Sequence, residues 1–330
     1  MYSSELSTTT YLVCSVPQGS VLGPLLFILY TAELFDLAAK WNVYLYSYAD
    51  DTQLYLHCKP TETGTAVTTL ELCLADICQW MAANRLKLNS DKTELLWTGT
   101  SSRLKSLTSS LLAVNIGSIP SDNARLLGVL ISADLSLQKH VSTVSARCFY
   151  QLRQLRCVRR SLDQDSVATL VQAFVSSRVD YCCSLLTGSP KFVMDKFQKV
   201  LNAAARVISN SRKYDQGLTY TRRHELHWLD IPERIQFRTA VTVHRCLNGL
   251  APAYLTELCT PVTQSRTSCR LWSSYCNRLA VPSVKLFIGS RSFSVSGPTV
   301  WNALPDYLRN PTLYIDVFKR YFKTFLFAQY

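Results

Sequence analysis

Apolar positions along the chain follow two rhythms, a mixed one at the front and a helical one behind it. Pro17-Gln18-Gly19 is a turn signal, and the apolar spacing of Leu22–Leu37 after Pro24 suits a helix. Val43–Tyr48 and Thr52–Leu56 are short aromatic, β-branched or leucine-rich runs on either side of Ala49-Asp50-Asp51. That pattern predicts a β-hairpin with the acidic pair at its tip. Thr65–Asn84 predicts a second helix, with Leu70, Leu74, Ile77 and Met81 on one face. Leu86–Leu88, Glu94–Thr98, Ala113–Ile116 and Leu126–Ile131 read as short strands.

From about Ser136 the pattern turns helical. Val141, Val144, Cys148, Leu152 and Leu155 form one apolar stripe, and Lys139, Arg153, Arg156 and Arg160 fall on the opposite face at 100° per residue. No acidic residue interrupts Lys139–Arg160. A helix with Pro190 at its start gathers Val193, Phe197, Val200, Ala204 and Ile208, leaving Lys199 and Arg206 outside. Pro232 starts another, through about Leu247; Ala280–Ser294 reads as a strand pair and Tyr314–Phe327 as a closing amphipathic helix.

Composition sets limits on these elements. The 330 residues are 48% apolar and 18% charged, a globular composition with length for about two domains. The longest apolar run, Leu25–Tyr30, is far short of a membrane span, and no basic stretch precedes an apolar run at the N-terminus. The expected location is therefore intracellular, in nucleus or cytoplasm. Residues 1–100 hold 5 basic and 10 acidic side chains, whereas residues 101–330 hold 30 and 13. A basic rear part suggests a polyanionic partner, and a solvated basic surface would look the same. The sign change falls near the break at residue 134, where the domain boundary is expected. The 12 cysteines form no Cys-x-x-Cys pair and read as reduced, buried thiols; His224 and His227 lack the spacing of a zinc site.

Asp50-Asp51 has no basic neighbour closer in sequence than Lys40 and Lys59. Two adjacent carboxylates are tolerated when solvated or when a divalent cation neutralises them, so a polar turn and a metal site both remain open. The surrounding segments narrow the choice. Ser15-Val16-Pro17-Gln18-Gly19, Tyr48-Ala49-Asp50-Asp51, Asn89-Ser90-Asp91-Lys92-Thr93 and Leu127-Gly128-Val129 resemble, in this order and spacing, motifs B, C, D and E of the reverse transcriptases of LINE-type (non-LTR) retrotransposons. The likeness continues in Leu226-His227-Trp228-Leu229, Ile231-Pro232-Glu233-Arg234-Ile235, Gly249–Leu255 and Gly297–Pro305, covering nearly the whole chain.

The resemblance implies RNA-directed DNA polymerisation with Mg²⁺, acting on an RNA template and a DNA primer or their hybrid. It makes Asp50 a metal ligand and Asp51 its acidic neighbour, both catalytic. Gln18, Gly19 and Tyr48 would meet the incoming nucleotide, and Lys92 would stabilise the pyrophosphate. Lys92 read without the resemblance is an exposed strand-edge lysine, and Leu127-Gly128-Val129 a core strand. Lys139, Arg153, Arg156 and Arg160 are the candidate phosphate contacts. Two departures stand out. Ser15 replaces the glycine that usually opens motif B. The motif A carboxylate, which precedes motif B by several tens of residues, has no counterpart before Ser15, where the one acid is Glu5.

The expected fold is α+β. It comprises a partial polymerase palm at 1–134, with motifs B to E but without fingers and motif A, and a basic, mainly helical thumb and C-terminal extension at 135–330. The expected function is a truncated reverse-transcriptase domain, inactive alone. The alternatives are a non-catalytic nucleic-acid-binding remnant and a pseudogene-derived protein. The open palm edge is a place for a partner.

Overall fold

Pro24 sits in the first turn of α1 (Gly23–Tyr30), where a missing backbone N–H costs nothing. The computed structural model describes residues 19–100, 102, 104, 121–212, 214–264, 277–284 and 287–329, with backbone alone at Gln264 and Phe287. The helix expected over Leu22–Leu37 is two helices, α1 and α2 (Glu33–Lys40). The Thr31 hydroxyl donates to the Phe27 carbonyl at 2.9 Å, and the chain turns there through short bonds such as Leu34 N to Thr31 O. α2 ends with Asn42 left-handed (φ 53) and a Val43 N–H bond to Ala38 O, a Schellman ending that aims the chain into β1.

β1 (Tyr44–Tyr48) and β2 (Asp51–Tyr55) pair antiparallel, as the hairpin reading expected. Its tip is Ala49-Asp50, while Asp51 already belongs to β2. α3 (Thr63–Ala83) packs beneath, and Leu34, Ala38, Val43, Cys73 and Ile77 form the core of this unit with Leu45, Leu54 and Trp80 against them. The buried residues of α3 include Ala66, Val67, Cys73 and Ile77; of the predicted stripe Ile77 is buried and Leu70 and Met81 pack against the same core, while Leu74 is not part of it. Small side chains lie inward there and the larger Leu70 and Met81 sit at the margin of the core.

Leu86–Leu88 and Glu94–Thr98 are not strands, contrary to expectation. Leu95 O accepts from the Ser121 N–H at 2.9 Å, but no ladder continues from that bond among the described residues, and an extended run gains little without one. Ala113–Ile116 lies outside the described residues. Leu126–Ile131 is also not one strand, because Leu127 (φ 44) and Gly128 (φ 84) turn the chain between β3 (Asn123–Leu126) and β4 (Val129–Ser132). The chain divides in that turn into two compact units, Met1–Gly128 and Val129–Tyr330. The molecule is mostly helical with two small two-stranded sheets, an α+β layout.

In the second unit α4 (Gln138–Val158) buries Val141, Cys148, Leu152 and Leu155, the predicted stripe. It packs on α7 (Lys191–Ile208), which buries Val193, Phe197, Val200, Ala204 and Ile208 as its spacing predicted. Between them in sequence, α5 (Gln164–Val171) continues through a π-helical turn into α6 (Ser177–Asp180). A second core forms where α8 (Ile231–Leu247) meets α9 (Phe293–Asn302) and α10 (Ile315–Ala328), around Trp301, Phe318, Phe322 and Leu326. Ala280–Ser294 is not a strand pair. Among its described residues 281–284 are irregular, Phe287–Ser290 is a helical turn, and α9 begins at Phe293. Val281 and Val284 are exposed, and of its described apolar side chains Phe293 alone belongs to the helix packed on α8.

His244 on α8 is buried and stacks on Phe318 with ring centroids 4.4 Å apart. Burial pushes its imidazole below the ordinary value. An unfolded chain takes up that proton near pH 6.5, before the folded one does, so stability is full above 6.5 and falls as pH drops through it. Thermal melts from pH 7.5 to 5 should show this loss, and His244→Phe should flatten the slope; an unchanged slope contradicts the assignment.

Candidate nucleic-acid interface

The hairpin register fixes which side chains share a face. Tyr44 faces Tyr55, Tyr46 faces Gln53 and Tyr48 faces Asp51, while Leu45 and Leu54 alternate onto the core side. Asp51 therefore stands on an exposed tyrosine face, where Tyr55 stacks with Tyr44 (5.0 Å) and Tyr46 (5.5 Å). A hydrogen bond with Tyr46 pushes the Tyr55 hydroxyl up to about 12. Tyr48 at the tip is 70% exposed, and Asp50 and Asp51 are exposed too. The turn places Ala49 at φ 55, a conformation costing an L-residue about 1 kcal/mol or more, and the Ser47 hydroxyl ties it by donating to Ala49 O at 3.0 Å. Ser47 is a supporting residue that the motif reading missed.

The other predicted residues of this unit are spread along it. Gln18 and the motif's Pro17 lie outside the described residues. Gly19 has φ 87, and an added Cβ there would meet nothing within 4 Å, so glycine is needed for its backbone angle and not for close approach. Lys92 is exposed and closes a short turn, Ser90–Lys92, in which Thr93 Oγ1 donates to Asn89 O at 2.9 Å. No hydrogen bond or ion pair among the described residues joins Lys92 to Asp50 or Asp51. Glu33 at the start of α2 accepts from Trp80 Nε1 at 2.8 Å. Asp76 accepts from Trp41 Nε1 at 2.9 Å and pairs with Lys40; those bonds hold its carboxyl below the usual range.

In the second unit the arginines fall into two populations. One is spent inside the fold. Arg159 donates from Nε to Val207 O (2.9 Å), from Nη2 to Ile208 O (3.0 Å) and from Nη1 to Leu162 O (2.8 Å), capping the C-terminal end of α7 with a full positive charge. Arg222 and Arg223 share Asp230 at 2.6 and 2.7 Å, Arg234 holds Asp180 at 2.7 Å, and Arg291 reaches Leu135 O at 2.8 Å. The other population faces water. Lys139, Arg153, Arg156 and Arg160 are all exposed, as their spacing predicted, and none forms an ion pair among the described residues. The described cysteines are all free, but Cys58 and Cys157 are exposed, which corrects the expectation of uniformly buried thiols.

The hairpin carries its two aspartates at and beside the tip, where the sequence resemblance expected them. Residues 1–131 match the family described as "Reverse transcriptase (RNA-dependent DNA polymerase)". Over these residues the chain is thus similar to reverse transcriptases, in keeping with the resemblance its motifs carry. It is 26% identical over 226 residues, 65% of this chain and 24% of the relative, to the probable RNA-directed DNA polymerase from transposon BS of Drosophila melanogaster. To the probable RNA-directed DNA polymerase from transposon X-element of the same fly it is 24% identical over 290 residues, 81% of this chain and 31% of that one. The chain therefore spans about a quarter to a third of the length of these relatives. No solved structure matches it.

The family implies a divalent metal and an RNA template with a DNA primer. Among the described residues no group of three or more His, Cys, Asp or Glu could hold an ion, and none of the described helices is long and apolar enough to cross a membrane. Asp50 and Asp51 supply hard oxygens, but two exposed carboxylates on a bare tip do not make a closed Mg²⁺ site. Binding at millimolar strength follows: 1 mM Mg²⁺ should stabilise the chain by no more than about 0.4 kcal/mol, and Asp50→Asn should leave its melting temperature in Mg²⁺ unchanged. A large Mg²⁺-dependent shift abolished by Asp50→Asn would show that the pair has a third ligand.

Proposed function

We propose that this chain acts as the nucleic-acid-gripping part of an RNA-directed DNA polymerase and does not polymerise by itself. Residues 1–134 correspond in this reading to the palm from motif B to motif E, and 135–330 to thumb and C-terminal extension. Asp50, Asp51 and Lys92 are assigned to the chemistry, and Gln18, Gly19 and Tyr48 to the nucleotide, once a further carboxylate and Mg²⁺ complete the centre. The observation that carries the reading is the division among the arginines. Internal acids and carbonyls satisfy one set, while Lys139, Arg153, Arg156 and Arg160 stay unpaired on one exposed face. A merely solvated surface would disperse its cations among acids; this one keeps them apart, as phosphate binding requires. The outer edges of the β1–β2 sheet, unpaired among the described residues, are a seat for a further palm strand or a partner.

Two measurements test it on the full chain. Purified protein given an RNA template, a DNA primer, nucleotides and Mg²⁺ should show no extension; template-dependent extension lost in Asp50→Asn would overturn the non-catalytic reading. The triple variant Lys139→Glu, Arg153→Glu, Arg160→Glu should lower the slope of log K against log salt for an RNA–DNA hybrid by about 3. An unchanged slope would remove the basic face from the binding site.

A further inference from the structure

The proposed phosphate-binding face runs into a recess that a plain duplex-tracking surface does not require. Between the C-terminal halves of α4 and α7 lies an open cavity of about 540 Å³, lined by Phe149, Arg156, Lys199, Ala203, Arg206 and Arg212 together with the uncharged Asn202 and Ser211. That volume lies within the ~300–1,000 Å³ of small-ligand pockets. Helical spacing builds it. Phe149 and Arg156 are seven residues apart on one face of α4, and Lys199, Asn202, Ala203 and Arg206 repeat every three to four residues along α7. Arg159, through Val207 O and Ile208 O, fixes the end of α7 beside the end of α4 and so holds the two walls together.

The chemistry of the lining is one-sided. Arg156, Lys199, Arg206 and Arg212 contribute four cations and no lining residue is acidic. None of the four forms an ion pair among the described residues, and the nearest acid in sequence, Asp215, spends its carboxylate on the Arg212 backbone N–H at 2.6 Å. The Nε of Arg206 is itself buried without a hydrogen-bond partner, so the side chain that lines the pocket is not tied down through that atom by any neighbouring acceptor. Phe149 is 43% exposed, a large ring open to the same space instead of the core. Ala203 adds an apolar wall.

We infer that this pocket takes a single unstacked nucleotide of a nucleic-acid strand, its phosphate among Arg156, Lys199, Arg206 and Arg212 and its base against Phe149. Cations alone would suit any phosphate. An exposed aromatic ring beside them suits a phosphate that carries a flat base, since every base presents a face to stack on. The bases of a blunt duplex are already stacked on each other, so this pocket distinguishes single strands and overhangs from paired ends. The inference rests on the second unit binding nucleic acid at all, and the two can fail separately.

The test uses the full chain and three labelled probes: a 12-nucleotide oligoadenylate, a blunt duplex of equal length, and that duplex with a single-stranded overhang. Phe149→Ala should weaken binding of oligoadenylate and of the overhang duplex about tenfold and leave the blunt duplex unchanged. Phe149→Trp should restore it, and Arg206→Gln should reproduce the loss with a smaller salt dependence. Adenosine monophosphate should displace the oligonucleotide at lower concentration than inorganic phosphate. The pocket assignment is overturned if Phe149→Ala and Arg206→Gln bind oligoadenylate as the parent does, if both variants lose single strand and blunt duplex alike, or if phosphate competes as well as the nucleotide. Tight binding of the free nucleotide together with strand binding indifferent to Phe149→Ala would also overturn it, assigning the pocket to free nucleotides. A parent chain that binds none of the probes sinks the broader reading along with it.

Discussion

The contact between α4 and α7 governs the second unit, and Arg159 is the group that locks it. Two amphipathic helices could slide along one another at small cost, because apolar packing is not directional. A guanidinium that donates to three carbonyls is directional, and here it joins the first residues beyond α4 to the last turn of α7. Once that register is fixed, the apolar stripes of both helices close over the core that includes Val141, Cys148, Val200 and Ala204. The outward faces then hold their cations at fixed separations. Without the lock the same basic residues would form a diffuse positive cloud; with it they form a surface with shape.

The same chemistry thus serves opposite ends in one unit. Asp180 and Asp230 each gather two arginines into the protein, where removing one partner would strand a desolvated charge. The outward cations have no such partners and depend on solvent, salt and whatever polyanion arrives. The first unit is built differently. Its hairpin is placed by the Schellman ending of α2 and by Leu45 and Leu54 on the core side, and its acidic tip stands on a strained Ala49. A short stiff turn presents those carboxylates well, but a tip can carry only the groups that its own residues bring.

Much of this was legible in the sequence because periodicity and burial have the same cause. The stripes of α4 and α7, the hairpin around Ala49-Asp50 and the exposed positions of Lys139, Arg153, Arg156 and Arg160 all follow from where apolar residues recur. The misreadings also have physical reasons. Leu22–Leu37 is so continuously apolar that nothing in its pattern marks the break, which Thr31 makes through a side-chain bond to the backbone. Leu126–Ile131 hides a turn because Leu127 adopts a left-handed angle usually left to glycine or asparagine. Ala280–Ser294 alternates like a strand, yet Phe293 near its end already belongs to a helix. No sequence pattern tells which arginines turn inward: Arg159 and Arg160 are neighbours, one a cap and the other bathed in water. The pocket beside Phe149 was invisible for a similar reason, since it needs two helices in register.

α1 leaves a practical mark on the whole chain. None of its eight residues is buried, and Leu25, Leu26, Ile28 and Leu29 are each about half exposed or more. A contiguous greasy ridge of this kind is wetted at a cost that grows as the solution warms, because apolar attraction strengthens with temperature over the ordinary range. The first unit, and not the highly charged second one, therefore sets how concentrated and how warm a clear solution of this protein can be.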